Sequence, residues 1–290
     1  MIVPYPPGGT TDEVARLIAE PMRAYIRQPV VVENVGGADG NIGTGRAARA
    51  RPDGYTLCLG VMDTHVLNAG FYSLPYDVFR DFAPIAPLAA NWMVLYGRKS
   101  IPAKDLGELI AWLKARPFPA LVGTNTLSGR LVAQSFQKQT GAQVTIIPYR
   151  GGINMVEDFI GGRIDFYFGF PRGLIMLPEG PGRAYAVASN ARLAFAPDIP
   201  TFAEAGLPSL VYSGWYGLFA PKGTPQDMIA KLNAAAVEAL ANQAVRSRLV
   251  ALGYEIVPRS SQTPEALAVM QKTDAEKWWP IIKELGIKAE

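Results

Sequence analysis

Four short stretches hold the residue types that do chemistry in this chain. MDTH, residues 62–65, sets Asp63 and Thr64 beside His65, the chain's one histidine. A carboxylate near an imidazole is the material of general base catalysis. PYPPGGTTD, residues 4–12, suggests another chemistry. Pro6 and Pro7 stiffen the approach, Gly8 and Gly9 bare their amides, and Thr10, Thr11 and Asp12 open a helix behind Tyr5. A turn of this kind feeding a helix N-terminus presents free N–H groups and partial positive charge, which suits an anion. GTNTLSGR, residues 123–130, repeats the device with Thr124, Thr126, Ser128, Gly129 and Arg130, and PYRGGIN, residues 148–154, repeats it behind Tyr149.

The remaining composition narrows the choice between the two chemistries. One histidine cannot build a multi-imidazole metal centre, and one cysteine, Cys58, excludes an intramolecular disulfide and a multi-cysteine metal site. There is no G-x-S-x-G elbow and no G-x-x-x-x-G-K-[ST] phosphate loop, and GGADGNIG misses the dinucleotide spacing. No carboxylate pair stands in a context that marks acid–base work. We therefore expect no catalytic residue, no metal and no cofactor. An enzyme using His65 and Asp63 stays as the less favoured alternative.

The elements that must position these stretches alternate between strand and helix. Residues 28–35 (QPVVVENV) read as a buried strand, 55–61 as the next, then 120–125, 144–148, 164–170 and 184–189. In the first helix Val14, Leu17, Ile18, Met22 and Tyr25 share one face, and Thr10 with Glu13 fits a capping box. Helices follow over 104–116, from Ser128 to Gly141, and over 153–160, 225–241, 243–252 and 264–285. This alternation implies α/β architecture with mostly parallel sheets. Ligands of such sheets bind at the carboxyl ends of the strands, where PPGGTTD, GTNTLSG and PYRGGIN all fall. If the first loop faces the other two across two domains, they line a cleft suited to carboxylates. Tyr5, Tyr149, Phe170, Trp215 and Tyr216 are candidate aromatic walls.

With 290 residues, 49% of them hydrophobic, the chain can bury two domain cores. Its net charge of +3 is spread out, with no basic run that would mark nucleic-acid binding. No apolar run is long enough to span a membrane. The chain opens inside an apolar strand, which we read as the mark of a removed leader.

At the level of whole motifs the chain resembles the Bug family, the extracytoplasmic solute-binding proteins of tripartite tricarboxylate transporters. The likeness is carried by IVPYPPGGTTDEVARLIAEPM, QPVVVENVGGADGNIGTGRAARARPDGYTL, LPYDVFRDFAPIAPL, PYRGGINMVEDFIGGRIDFYF and SGWYGLFAPKGTP, and it runs over nearly the whole chain. The resemblance implies a two-domain periplasmic binding protein, a type II Venus flytrap with the ligand in the interdomain cleft. The first domain would combine 1–100 with 220–290, and the second would be 101–219. It further implies a periplasmic monomer that captures a di- or tricarboxylate or an aromatic acid and delivers it to membrane components of the transporter. A ligand-sensing partner of a membrane receptor is the alternative in another class.

Two departures from the family pattern fall on the second domain. Arg130 stands where members carry a histidine, and Gly169-Phe170 where many carry an acid. Both changes should favour a second anionic group. The expected ligand-binding set is Tyr5, Pro7, Gly8, Gly9, Thr10, Thr11, Asp12, Asp63, Thr64, His65, Thr124, Thr126, Ser128, Gly129, Arg130, Tyr149, Gly169 and Phe170.

Overall fold

The computed structural model describes residues 1–149, 152–170, 180 and 182–286. The chain divides into two compact units, Met1–Ala90 with Gly214–Glu290, and Asn91–Ser213. Both boundaries come earlier than the sequence suggests, because strand membership sets them. The eleven-residue strand Phe82–Trp92 lies in the first unit's sheet and the strand Val94–Arg98 in the second's. The return strand, Ser213–Pro221, again belongs to the first sheet.

In the first unit the described strands are β1 (Ile2–Val3), β2 (Glu33–Asn34), β3 (Cys58–Val61), β4 (Phe82–Trp92), β10 (Ser213–Pro221) and β11 (Glu255–Ile256). Their order is β11-β4-β10-β3-β1-β2, with β1 parallel to both β2 and β3 and with β10 antiparallel to β3. The carboxyl ends of β1, β2 and β3 therefore share one edge. Only the last part of QPVVVENV pairs. It forms the outer strand rather than a buried one, and Val31 is 70% exposed, because β2 is an edge of the sheet among the described residues.

Helix α1 (Thr10–Ile26) covers this sheet with Val14, Ala15, Ile18, Ala19 and Met22 and packs on α7 (Gln226–Ala241). The buried stripe is rotated from the one expected, since Leu17 is half-buried and Tyr25 is exposed. Ala15 and Ala19 let α7 approach with its own Ala235, Ala236 and Ala239, so small residues define the contact face. The remaining helices of this unit that bear on the site are α2 (Asn41–Ala48), α3 (Asn68–Phe71), α8 (Gln243–Ala251) and α9 (Pro264–Leu285).

The second unit contains β5 (Val94–Arg98), β6 (Ala120–Thr124), β7 (Val144–Pro148), β8 (Phe166–Gly169) and β9 (Gly182–Val187), in the order β7-β6-β8-β5-β9. β6, β7 and β8 run parallel, and β5 is antiparallel to β8 and β9. Helices α4 (Leu106–Ala115), α5 (Leu127–Thr140) and α6 (Gly152–Ile160) connect them. Phe159, Phe166 and Tyr167 are buried in the core, with Phe159 edge-on to Tyr167 at 4.9 Å. The loop ends that matter here again share one edge, after β6, β7 and β8.

Candidate functional site

The rim of the first unit is built on the turn between β1 and α1. Gly8 takes φ +80°, a conformation that glycine adopts without strain. Gly9 is the N-cap residue and bears no side chain to cap with, so Thr10 lies inside the helix rather than capping it. The capping box is replaced by a reach from the third helical position. Asp12 Oδ2 accepts from the Gly8 amide at 2.9 Å. The first intrahelical bond of the turn is Glu13 N to Gly9 O at 3.0 Å, so the amides of Thr10, Thr11 and Asp12 have no intrahelical acceptor.

Asp12 is nearly completely buried and is held by more than Gly8. Arg16 Nε donates to both its oxygens at 3.0 Å, and Asn34 Nδ2 donates to Oδ1 at 2.9 Å. Asn34 also donates to Tyr5 O at 3.1 Å, which ties the end of β2 to the turn. The Arg16 bond, followed by those from Gly8 and Asn34, holds the Asp12 carboxyl at about 2, below its ordinary range. Under the turn, the Tyr216 hydroxyl donates to Thr10 Oγ1 at 3.5 Å and shares a hydrogen bond with the Tyr254 hydroxyl at 3.3 Å.

Two glycine approaches lock the neighbouring loops onto this turn. A Cβ on Gly43 would lie 2.3 Å from Val35 O and 2.9 Å from Pro4 Cα. One on Gly40, at φ +89°, would lie 2.6 Å from Thr64 Cγ2 and 3.1 Å from Pro4 O. The β1 and β2 loops thus meet backbone to backbone, and the β3 loop joins them through the Thr64 side chain. Asp63 and Asp39 both act on Tyr5, whose phenol burial pushes well above its ordinary value, with the two carboxylates adding to the shift. Tyr5 keeps its proton and remains a donor.

Thr64 and His65 turn inward instead. Thr64 Oγ1 bonds both the amide and the carbonyl of Val61 at 3.1 Å and touches His65 Nδ1 at 2.9 Å. His65 is fully buried, stacked on Phe219 at 4.1 Å and tilted against Phe82 at 4.7 Å. Burial lowers its pKa to about 3. An imidazole with that surrounding is a core ring, and it is neutral at any physiological pH. Trp215 and Tyr216 are core residues too. Trp215 Nε1 donates to Asp274 at 2.7 Å from a site 1% exposed.

The rim of the second unit follows β6. Thr126, rather than Ser128, caps α5, with its Oγ1 accepting from Gly129 N at 3.0 Å and meeting Ser128 Oγ at 2.9 Å. Thr124 and Ser128 are buried, while Asn125, Thr126 and Arg130 are half-buried. Tyr149 N donates to Thr124 O at 2.8 Å, joining the β6 and β7 loops. The Tyr149 hydroxyl donates to Asp158 at 2.6 Å, so its polar end is engaged along α6. Arg150 and Gly151 of PYRGGIN lie outside the described residues. Gly169 and Phe170 close the rim half-buried, and Phe170 O accepts from the Tyr96 hydroxyl at 3.1 Å.

Among the described residues no three His, Cys, Asp or Glu side chains are grouped to hold a metal, and no helix is long and apolar enough to cross a membrane. What the two rims have in common is amide-rich helix starts at strand ends, in the fold of a two-unit α/β protein. Residues 14–287 match the family model described as tripartite tricarboxylate transporter family receptor, TctC. The chain belongs to that family.

Solved relatives of the receptor family share its fold. The periplasmic binding protein BugD aligns with a TM-score of 0.88 at 31% identity, covering 100% of this chain and 98% of that one. MatC from Rhodopseudomonas palustris, solved with bound malate, aligns at 0.87 and 33% identity, with 97% of each chain covered. A second R. palustris protein, solved with adipate, aligns at 0.89 and 30% identity, covering 99% and 97%. The receptor thus has the two-domain Venus flytrap fold of periplasmic binding proteins.

Within this receptor the first rim brings together Tyr5, Pro7, Gly8, Gly9, Thr10, Thr11, Asp12 and Asp63, and the second brings together Thr124, Thr126, Ser128, Gly129, Arg130, Gly169 and Phe170. Two residues absent from the expected set prove central to the first rim, Asn34 and Arg16. Their signals were present in the sequence. Asn34 is a polar residue at a strand end before a double glycine, and Arg16 lies four residues after Asp12, the spacing of a helical ion pair.

Proposed function

We propose that this receptor captures a small dicarboxylate and hands it to the membrane components of a tripartite transporter in the periplasm, acting as a monomer. One carboxylate docks on the amides of Gly9, Thr10 and Thr11; the Thr124–Arg130 loop of the second unit offers hydroxyls and a guanidinium suited to a carboxylate. The observation that carries this reading is the α1 turn, where an exposed Gly9 has only Pro6 O near its Cβ position, at 3.6 Å, and the helix start has its own acid held by Gly8, Asn34 and Arg16. The malate and adipate of the solved relatives support a diacid with a four- to six-carbon chain. In this reading His65 and Asp63 perform no reaction, which the complete burial of the imidazole supports.

The test is a thermal-shift and calorimetric panel of mono-, di-, tri- and aromatic acids with mass balance after long incubation. A diacid at a hundredfold excess over its Kd should stabilise the fold by about 2.7 kcal/mol and be recovered intact. Selective binding of aromatic monoacids, or turnover that disappears in His65→Ala, would overturn the reading.

A further inference from the structure

The first rim carries a conflict of charge. Helix α1 has two carboxylates in its first turn, Asp12 and Glu13. Such acids already satisfy a helix N-terminus and repel an incoming anion. By contrast, neither α5 nor α6 has an acid in its first turn. Proton uptake cannot relieve the conflict, because Asp12 stays ionised down to about 2. Each carboxylate instead meets an arginine. Arg16 Nε lies 3.0 Å from both Asp12 oxygens, and Arg248 Nη2, from α8, lies 2.6 Å from Glu13 Oε1.

We propose that Arg16, backed by Arg248, is a specificity-determining charge balance that keeps the α1 turn receptive to an anionic ligand. The inference rests on the carboxylate reading above. Asp12 is indispensable to the turn's shape, because it holds the Gly8 amide and, through Asn34, the Tyr5 carbonyl. Its charge is the cost of that shape. The guanidinium cancels the charge while Nη2 donates to Asn34 Oδ1 at 3.2 Å, and no Arg16 atom lies within 4 Å of the Gly9 Cβ position. Removing it would leave one uncompensated negative charge within a few ångströms of the docked carboxylate, which at a partly screened site weakens binding roughly three- to tenfold. The penalty should be larger for a dianion than for a monoanion.

The experiment compares wild type, Arg16→Gln, Arg16→Lys and Asp12→Asn/Arg16→Gln with malate and adipate as probes, by calorimetry at low and at high salt. The Arg16 side chain is 55% exposed, so these variants should fold. Arg16→Gln should lose about three- to tenfold in affinity at low salt and less at high salt. Arg16→Lys should recover most of the loss. The double variant removes the acid together with its counter-charge and keeps an oxygen that accepts from Gly8, but its NH2 cannot accept from Asn34; its affinity should exceed that of Arg16→Gln at low salt and should not change with salt. A purely structural role for Arg16 predicts a salt-independent loss that grows in the double variant, and that result overturns the inference, as does an unchanged Arg16→Gln. If wild type takes up neither diacid nor any other acid of the panel, the carboxylate reading itself falls and takes this inference with it.

Discussion

Placing a side chain at Gly9 tests directly whether the α1 turn is a binding surface. Gly9 has φ −78° and ψ 171°, extended backbone that valine adopts readily. A Cβ there meets only Pro6 O, at 3.6 Å, an ordinary contact. Gly9→Val should therefore fold as wild type does. Gly8→Val is the contrasting control, because φ +80° at that position costs a non-glycine residue about 1–2 kcal/mol of strain. The valine methyls would stand over the amides of Thr10 and Thr11. A carboxylate there accepts charge-assisted bonds contributing roughly 1.5–3 kcal/mol each. Loss of one such bond means at least about a tenfold fall in affinity, and loss of two about a hundredfold or more. Calorimetry with malate and adipate reads the affinity, and thermal unfolding without ligand checks the fold. Unchanged affinity in a folded Gly9→Val protein refutes the docking argument and leaves the turn a connector.

Three further outcomes follow from the same geometry. Arg130→Ala should weaken a diacid about ten- to a hundredfold, mainly through faster dissociation, and a monoacid far less; equal small changes for both would move the second carboxylate elsewhere. His65 is held neutral with a pKa near 3, so between that value and the ordinary 6.5 the unfolded chain binds a proton that the native one does not. Stability should therefore fall as pH drops through 6.5, by about 2 kcal/mol between pH 7 and 5, and His65→Gln should flatten that slope in urea titrations; a flat wild-type profile contradicts the burial argument. Gly43→Ala drives a Cβ to 2.3 Å from Val35 O, and such overpacking should destabilise the fold by about 1–3 kcal/mol or more; a thermal melt unchanged by the substitution would show that the three loops are not locked as described.

Local signals carried much of this protein. The 3.6-residue periodicity and the proline and glycine punctuation located α5, α7, α8 and α9 to within a few residues, and Gly141 ends α5 in the left-handed conformation that its residue type favours. The helix starts that follow PPGG and GTNT were legible for the same reason. A helix start and its amides are made by neighbours in sequence, so residue types in a short window are enough to foresee them.

Pairing over long separations was not legible in that way. Whether QPVVVENV is a buried or an outer strand depends on what lies beside it, and nothing in the eight residues says that β2 ends the sheet. Trp215 and Tyr216 read as candidate walls with core the favoured alternative, and His65 as a candidate ligand residue or base, and only the packing of β3 and β10 put Phe219 against the imidazole and Tyr216 beneath the turn. The rotation of the buried stripe of α1 came from alanines on a helix more than two hundred residues away. The charge balance at the first rim combines both kinds of information. Arg16 is within reach of Asp12 by helical spacing alone, whereas Arg248 meets Glu13 only because α8 folds back to it. Sequence determines which amides and charges a loop can offer, because those are fixed by adjacent residues. Tertiary structure decides which of them stay exposed and which are cancelled, because burial and ion pairing depend on partners that the chain brings in from elsewhere.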